Sequence, residues 1–467
     1  MTPADGPATT ASRPETAAPL ENVLFSAALV ARRLPWADLP ARTLGLDALT
    51  REGLTRRLVA HLRGRRDDGR PVRLRTPFGT FLVPLTRADA ESLLTRADGA
   101  GALGSAYGLA DDGRPYGLSP HAAPEGAWEV LTEDELDGLT AQVAEHLAPV
   151  IAARREDGTL DGDHWHDAVL RLSRRVVLGA DAAEDTLLSE MVTAAADAAG
   201  GRAYEVRAAA VRRRLAPYLA HPGPGSLAGR MAARGRGAPE PDLAVAHALA
   251  LVSTATSVSA LQALAVLAAG AASPEEAVDR VLDRYAPLSA VVYPVRAPLG
   301  ADGGPVIEAG EEILYAPPLL GQRVEGERTD PAWALCGNPS GCGAARFAAL
   351  VGRELVRGIT TGARPVLLAP RFAVDRLPDT LDPRTVVVAL DGPPNRHAAP
   401  LSAYGALGRG GADRLDRHAE SLAACAADTG WNGSEVGERF RMSLLDHADR
   451  CSRAAADVRR AARRLSE

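Results

Sequence analysis

Along this chain, apolar residues recur at the three-and-four spacing of helices far more often than at the alternation of strands. Leu49–Arg66, LTREGLTRRLVAHLRGRR, sets an apolar stripe against a basic face. Pro71–Thr86 alternates on both sides of Pro-Phe-Gly and predicts a hairpin. Arg87–Ala97 returns to helical spacing, and residues 98–127 are rich in Gly and Pro and read as loop. Helices are predicted over Glu133–Arg155, His164–Leu178 and Glu184–Leu219, followed by the linker HPGPGSLAGRMAARGRGAPEP. Ala244–Pro274 then carries no Asp, Glu, Lys or Arg and is long enough to span a membrane. It is rich in alanine and holds His247, Gln262 and six Ser or Thr, so a buried central helix accounts for it better.

Beyond that helix the pattern predicts a helix in SPEEAVDRVLDRY with Ser273 as N-cap, a strand in SAVVYPVRAP, and a strand pair around the Ala-Gly of PVIEAGEEILYAP. A glycine-rich loop with two cysteines and an alanine-rich helix come next, then late strands in ARPVLLAPRF and RTVVVAL. The order is α-dominated α+β, without an internal repeat. Leu444, Ala448, Cys451, Ala455, Val458, Ala462 and Leu465 alternate spacings of four and three, a heptad stripe. It predicts a helix packed on its parent domain or paired with a second copy in a homodimer. The expected organisation is a disordered leader over 1–20, a main domain over 21–395 and a C-terminal helical extension over 396–467. The leader lacks the basic start and apolar run of a signal peptide.

Composition narrows the chemistry. With 467 residues, 46% of them hydrophobic, the chain can bury a large core. A net charge of −6 gives no bulk electrostatic case for nucleic acid. All 53 basic residues are arginine, which excludes Schiff-base, pyridoxal-phosphate and P-loop lysine chemistry. Four cysteines (336, 342, 425, 451) are too few for a disulfide framework and read as reduced, cytoplasmic thiols. In Asp163–Asp167, DHWHD, two histidines stand two apart, a spacing that does not put them on one helix face.

The candidate chemistry lies in CGNPSGCGAARFAALVGREL, Cys336–Leu355. Glycines let a backbone approach a bound group where a Cβ would collide. A helix opening directly after Cys342 would aim backbone N–H groups at its sulfur and favour the thiolate.

This loop, with the order of elements around it, resembles the cytochrome P450 family of haem-thiolate oxygenases, whose loop F-x-x-G-x-x-x-C-x-G delivers a cysteine to haem iron. Cys342 matches that cysteine better than Cys336. Pro339 and Gly341 precede it, and Phe347-Ala348 stand where the family has a Leu/Phe-Ala pair. VRLRTPFGTFLVPLTRADAESLL, PGSLAGRMAA and VLDRYAPLSAVVYPVRAP resemble further family segments, so the likeness covers most of residues 45–380. Arg284 and Pro287 match E-x-x-R-x-x-P, and Arg296 matches the strand arginine that pairs with a haem propionate.

The resemblance implies a mainly helical fold with small β-sheets and haem b held through Cys342. Pro339, Gly341, Phe347 and Arg296 would line the cofactor, and Thr256 and Ser257 would lie near the distal face as catalytic hydroxyls. It implies an atypical monooxygenase of secondary metabolism acting on a small apolar molecule, with separate ferredoxin and reductase donors and no membrane. Several family features are missing. Val281 replaces the Glu of E-x-x-R, STATSV lacks the acid of the acid-alcohol pair, and Trp128 is followed at the fourth place by Thr132 where the family has Arg. Leu335, Asn338, Ser340 and Ala344 depart from the loop pattern. Two alternatives therefore stand beside the monooxygenase: a haem protein running other chemistry, and a haem-free binding or scaffold protein.

Overall fold

The structure is a computed structural model that describes residues 14–30, 51–64, 71–109 except 78 and 105, 115–117, 133–198, 203–233, 241–300 except 289, 306–317, 320, 330–339, 341–370, 372, 377, 378, 380–391, 400–427 and 435–464. Trp128, Thr132, Ser340 and Leu465 lie outside the described residues.

Four helices build the centre: α4 (Glu133–Asp157), α5 (Gly162–Leu178), the central helix α9 (Pro241–Ala268) and α12 (Gly343–Thr360). Each touches at least two of the others. Their facing side chains form one apolar cluster, from Leu139 and Val169 through Leu249 to Phe347 and Val356. The central helix is the one described helix long and apolar enough to cross a bilayer, and 78% of its apolar window is buried inside the fold. Burial on all sides explains why it shows no polar stripe.

Around this centre stand α1 (Pro19–Val30), α2 (Arg51–Gly64), α3 (Arg87–Gly99), α6 (Thr186–Asp197), α7 (Tyr204–Ala220), α8 (Leu227–Ala233), α10 (Ala277–Arg284) and the short α11 (Pro331–Leu335). The single helix expected over 184–219 is two elements, α6 and α7. Gly200 and Gly201 lie in the interval, and glycine disfavours a helix interior.

The larger sheet runs β1 (Val72–Thr76), β2 (Gly79–Val83), β7 (Glu312–Tyr315), β6 (Val291–Pro294), β3 (Tyr107–Leu109), β4 (Pro115–Gly117). The expected hairpin is β1–β2, with Val72 opposite Val83. The expected strand pair around Ala309-Gly310 takes another form. Gly310 turns at φ +91°, Ile307 bridges back to Leu299, and β7 pairs with β6 and β2. A second sheet joins β5 (Thr159–Asp161), β9 (Val387–Asp391) and β8 (Arg364–Ala369).

The leader assigned to 1–20 is shorter. Residues 1–13 lie outside the described chain, but Thr16 bridges Arg73 and α1 begins at Pro19. Main-chain bonds between Ala17 and Arg73 and between Arg73 and Glu15, each 2.9 Å, make this segment an added edge of the sheet.

Past residue 399, α13 (Pro400–Ala427) and α14 (Glu435–Arg464) form an antiparallel pair that rests on β5 and β9 through α13. The heptad stripe is consumed inside this pair. Ala448, Ala455 and Ala462 are buried on α14, matched by Ala412, Ala419 and Ala426 on α13. Arg459 ties the two helices by ion pairs to Asp413 at 2.6 Å and Asp416 at 2.5 Å.

Candidate functional site

Cys342 sits at the N-cap of α12, extended at φ −149° and ψ 110°, immediately behind Gly341 at φ +83°. That left-handed turn is open to glycine and costly to other residues. The loop is fastened from several sides. Asp330 caps α11 by accepting from the Ala332 N–H and pairs at 2.6 Å with Arg346 of α12. Leu288 N–H donates to the Ala334 carbonyl at 3.1 Å, and the Tyr293 hydroxyl donates to the Gly337 carbonyl. Gly337, at φ +66°, has Leu288 so close that a Cβ would meet it at 2.9 Å.

The Cys342 sulfur is 2% exposed and meets two partners. His247 of the central helix brings Nε2 to 3.4 Å from it. The Cys336 thiol hydrogen-bonds to it as well. That bond is the largest cause holding the Cys342 thiol well below its ordinary value; burial opposes it, and the His247 contact and the Ala345 N–H add to it. Cys336 moves the other way, raised well above the ordinary thiol value because it donates to Cys342 and is desolvated. The two thiols therefore shift in opposite directions, Cys342 toward the thiolate and Cys336 away from it.

The central helix and α12 run in the same direction. His247 faces Cys342, and farther along both helices the Ala255 carbonyl oxygen lies 3.8 Å from where a Cβ on Gly352 would stand. Gly352 is ten residues beyond Cys342, about 15 Å along the helix. Thr256 and Ser257 belong to this distant level, in a π turn over Ala255–Ser259. The Thr256 hydroxyl donates to the Val252 carbonyl at 2.7 Å and lies 3.3 Å from the Ser173 hydroxyl of α5. Ser257 is half-buried on the same turn. The residue that stands over the sulfur is His247, which the sequence pattern singled out only as a polar interruption of an apolar helix.

The other site residues are spread over the loop and sheet. Phe347 is buried in the main core at 1% exposure, and Pro339 is half-buried in the turn before Gly341. Arg296 is exposed, lying across Gly104, with its N–H on the Ala102 carbonyl. Arg284 donates to the Leu377 carbonyl at 2.8 Å and the Pro378 carbonyl at 3.1 Å. Asp279 pairs with Arg353 at 2.5 Å and Asp283 with Arg87 at 2.6 Å. Val281 is fully buried in the core.

No family sequence model and no curated protein matches the chain. Solved structures do match in shape. One is cytochrome P450 CYP101C1, 15% identical, with TM-score 0.50, covering 73% of this chain and 93% of that one. Another is the retinoic-acid-bound cyanobacterial CYP120A1, 12% identical, with TM-score 0.50, covering 82% of this chain and 100% of that one. The chain has the cytochrome P450 fold. That is the fold of haem-thiolate monooxygenases, in which a cysteine thiolate holds the iron.

Whether this cytochrome P450 fold accommodates the haem is a question of distance. With metal–sulfur and metal–nitrogen bonds of about 2.3 and 2.0 Å, a haem iron between a cysteine and an opposed histidine separates their donor atoms by about 4.3 Å. If the histidine does not ligate, macrocycle and imidazole need van der Waals spacing of about 3.5 Å, which puts the separation near 5.8 Å. His247 Nε2 is 3.4 Å from Cys342 Sγ, closer than either arrangement allows. The residues at this site do not fit a haem on Cys342.

Proposed function

We propose that this chain is a haem-free member of the cytochrome P450 fold that acts as a binding or scaffold protein. The observation that carries this reading is the 3.4 Å contact between His247 and Cys342, which fills the layer a haem would need. The altered anchors agree with it. Val281 is a core residue where the family's glutamate would stand, and Arg296 is exposed with its side chain folded over Gly104. The binding surface is assigned to the C-terminal helical pair, whose alanine stripes are satisfied internally. It leaves Val436, Phe440 and Met442 48–77% exposed at the start of α14. By the antiparallel register this end lies about 25 Å along α13 from Gly410, which touches β5. Val436 and Phe440 stand one turn apart on one face of this charged helix, and that face is the docking feature of this reading.

A second reading is favoured by the seat of Cys342 behind Gly341 at the mouth of α12. In it the chain is a cytoplasmic haem b oxidoreductase for a small apolar molecule, fed by a separate ferredoxin and reductase. Cys342 is then the iron ligand, Arg296 the propionate partner, and Thr256 and Ser257 the distal hydroxyls. This requires the central helix to leave the cysteine loop.

An absorption spectrum decides between them. The purified full chain, incubated with haem, freed of unbound haem by gel filtration and then reduced under carbon monoxide, is expected to show no Soret band. A red-shifted thiolate-type band, lost in Cys342→Ser, would overturn the haem-free reading in favour of the second.

A further inference from the structure

The residues that exclude the haem form a donor set of their own. Cys336 Sγ, Cys342 Sγ and an imidazole nitrogen of His247 all lie within 4.8 Å of one another, between the central helix and the cysteine loop. The three come from separate elements. His247 is fully buried on the central helix, Cys336 is the C-cap of α11, and Cys342 is the N-cap of α12.

Two thiols and one imidazole suit a borderline-to-soft cation of the Zn2+ type rather than a hard, oxygen-seeking one. Tetrahedral bonds of about 2.3 Å to sulfur and 2.05 Å to nitrogen place neighbouring S and N donors about 3.6 Å apart, and two sulfurs about 3.8 Å apart. The observed S–N separation of 3.4 Å is within a few tenths of an ångström of that edge. The same distance fell short of a haem's requirement by about 0.9 Å or more. The surroundings also suit metal thiolates. The backbone N–H groups of Ala345 and Asn338 favour negative charge on Cys342 and Cys336, as the outer shell around ligating sulfur does.

We propose that Cys336, Cys342 and His247 bind one Zn2+ ion, which clamps the central helix to the cysteine loop where relatives of this fold carry haem. The proposal rests on the haem-free reading. Each ligating thiol that carries a proton releases it to solvent as two metal–sulfur bonds and one metal–nitrogen bond form. The three protein donors leave the fourth position to water or another small donor.

The test uses the full-length chain, reduced and metal-stripped, titrated with Co2+ as a spectroscopic probe and then with Zn2+. One equivalent of Co2+ should give a thiolate charge-transfer band with tetrahedral d–d bands, discharged by Zn2+. Cys336→Ser and Cys342→Ser should each weaken binding at least tenfold, as should His247→Asn, while Cys425→Ser/Cys451→Ser should bind unchanged. The circular dichroism of each variant is recorded to confirm folding. If the wild-type chain gives no such band, or the band survives Cys336→Ser or His247→Asn in folded protein, the site is not the one proposed. The two readings fail separately. A chain that binds neither haem nor cobalt retains the haem-free reading and loses the zinc site, whereas a chain that takes up haem on Cys342 loses both.

Discussion

The indole N–H of Trp165 donates to the Thr256 carbonyl at 2.8 Å, across the packing of α5 on the central helix. Thr256 lies in the π turn, where Ala260 N–H reaches back to the Ala255 carbonyl and the ladder slips by one residue. The indole takes a carbonyl from this slipped stretch. Trp165 is 1% exposed, so water cannot replace it. A buried carbonyl left without its donor costs about 1–3 kcal/mol. Trp165→Phe keeps most of the ring volume and removes the donor. Chemical denaturation should show a loss in that range; a stability equal to wild type would mean that the bond contributes nothing.

Backbone meets backbone where the chain turns into α8. The Ser226 hydroxyl accepts from the Gly229 N–H at 3.0 Å and donates to the Gly223 carbonyl at 2.7 Å. A Cβ on Gly229 would collide with that same carbonyl oxygen, which has no flexible end to give way. Gly229→Ala should cost 2 kcal/mol or more, on the order of an overpacked core site. In contrast, Gly138 is exposed inside α4 with nothing near its Cβ direction. Gly138→Ala should stabilise by about 0.5–1 kcal/mol. Thermal melts of the two variants should move in opposite directions.

Asp185 joins three elements. It accepts from the Leu188 N–H at the start of α6, and its carboxylate takes two bonds from Arg214 (2.8 and 2.9 Å) and one from Tyr218 (2.8 Å) on α7. Burial pushes its carboxyl upward, but the bonds from Arg214, Tyr218 and Leu188 together outweigh that and hold it below the ordinary carboxylate value. A depressed folded value stabilises the fold above the unfolded value, near pH 4, and that gain is lost as pH falls through the folded one. Acid titration of stability should be shallower below pH 4 in Asp185→Asn than in wild type. Equal acid slopes in the two proteins would refute the assignment.

The C-terminal pair is closely packed at Gly408, where a Cβ would stand 2.9 Å from the Cβ of Ala462. Gly408→Leu should pry α14 from α13 and expose both alanine stripes. Because those stripes are satisfied within one chain, light scattering should give the wild-type mass of a single chain, with Gly408→Leu larger or aggregated. A wild-type dimer that becomes a monomer when 435–467 are deleted would instead make the stripe an intermolecular seam.

Much of this fold could be read from local pattern because the signals are local. Pro-Phe-Gly between alternating runs set the β1–β2 hairpin, and Gly-Cys-Gly before an alanine-rich run set the start of α12 at Gly343. The heptad stripe marked the seam of α14, although its partner, α13, could not be found from spacing alone.

What the pattern could not decide was the rotation of the central helix. Its apolar residues surround it, so no polar stripe indicates which residue faces Cys342. Thr256 of STATSV lies on the π turn, its hydroxyl on the Val252 carbonyl and 3.3 Å from Ser173 of α5. The residue that reaches the sulfur is His247, separated from it by 95 positions in sequence. By itself the sequence determined the order of helices and strands, a cysteine poised at a helix start, and the absence of lysine chemistry. Tertiary packing alone decided that a histidine and a second cysteine close on that sulfur, because the contact depends on the register of two parallel helices.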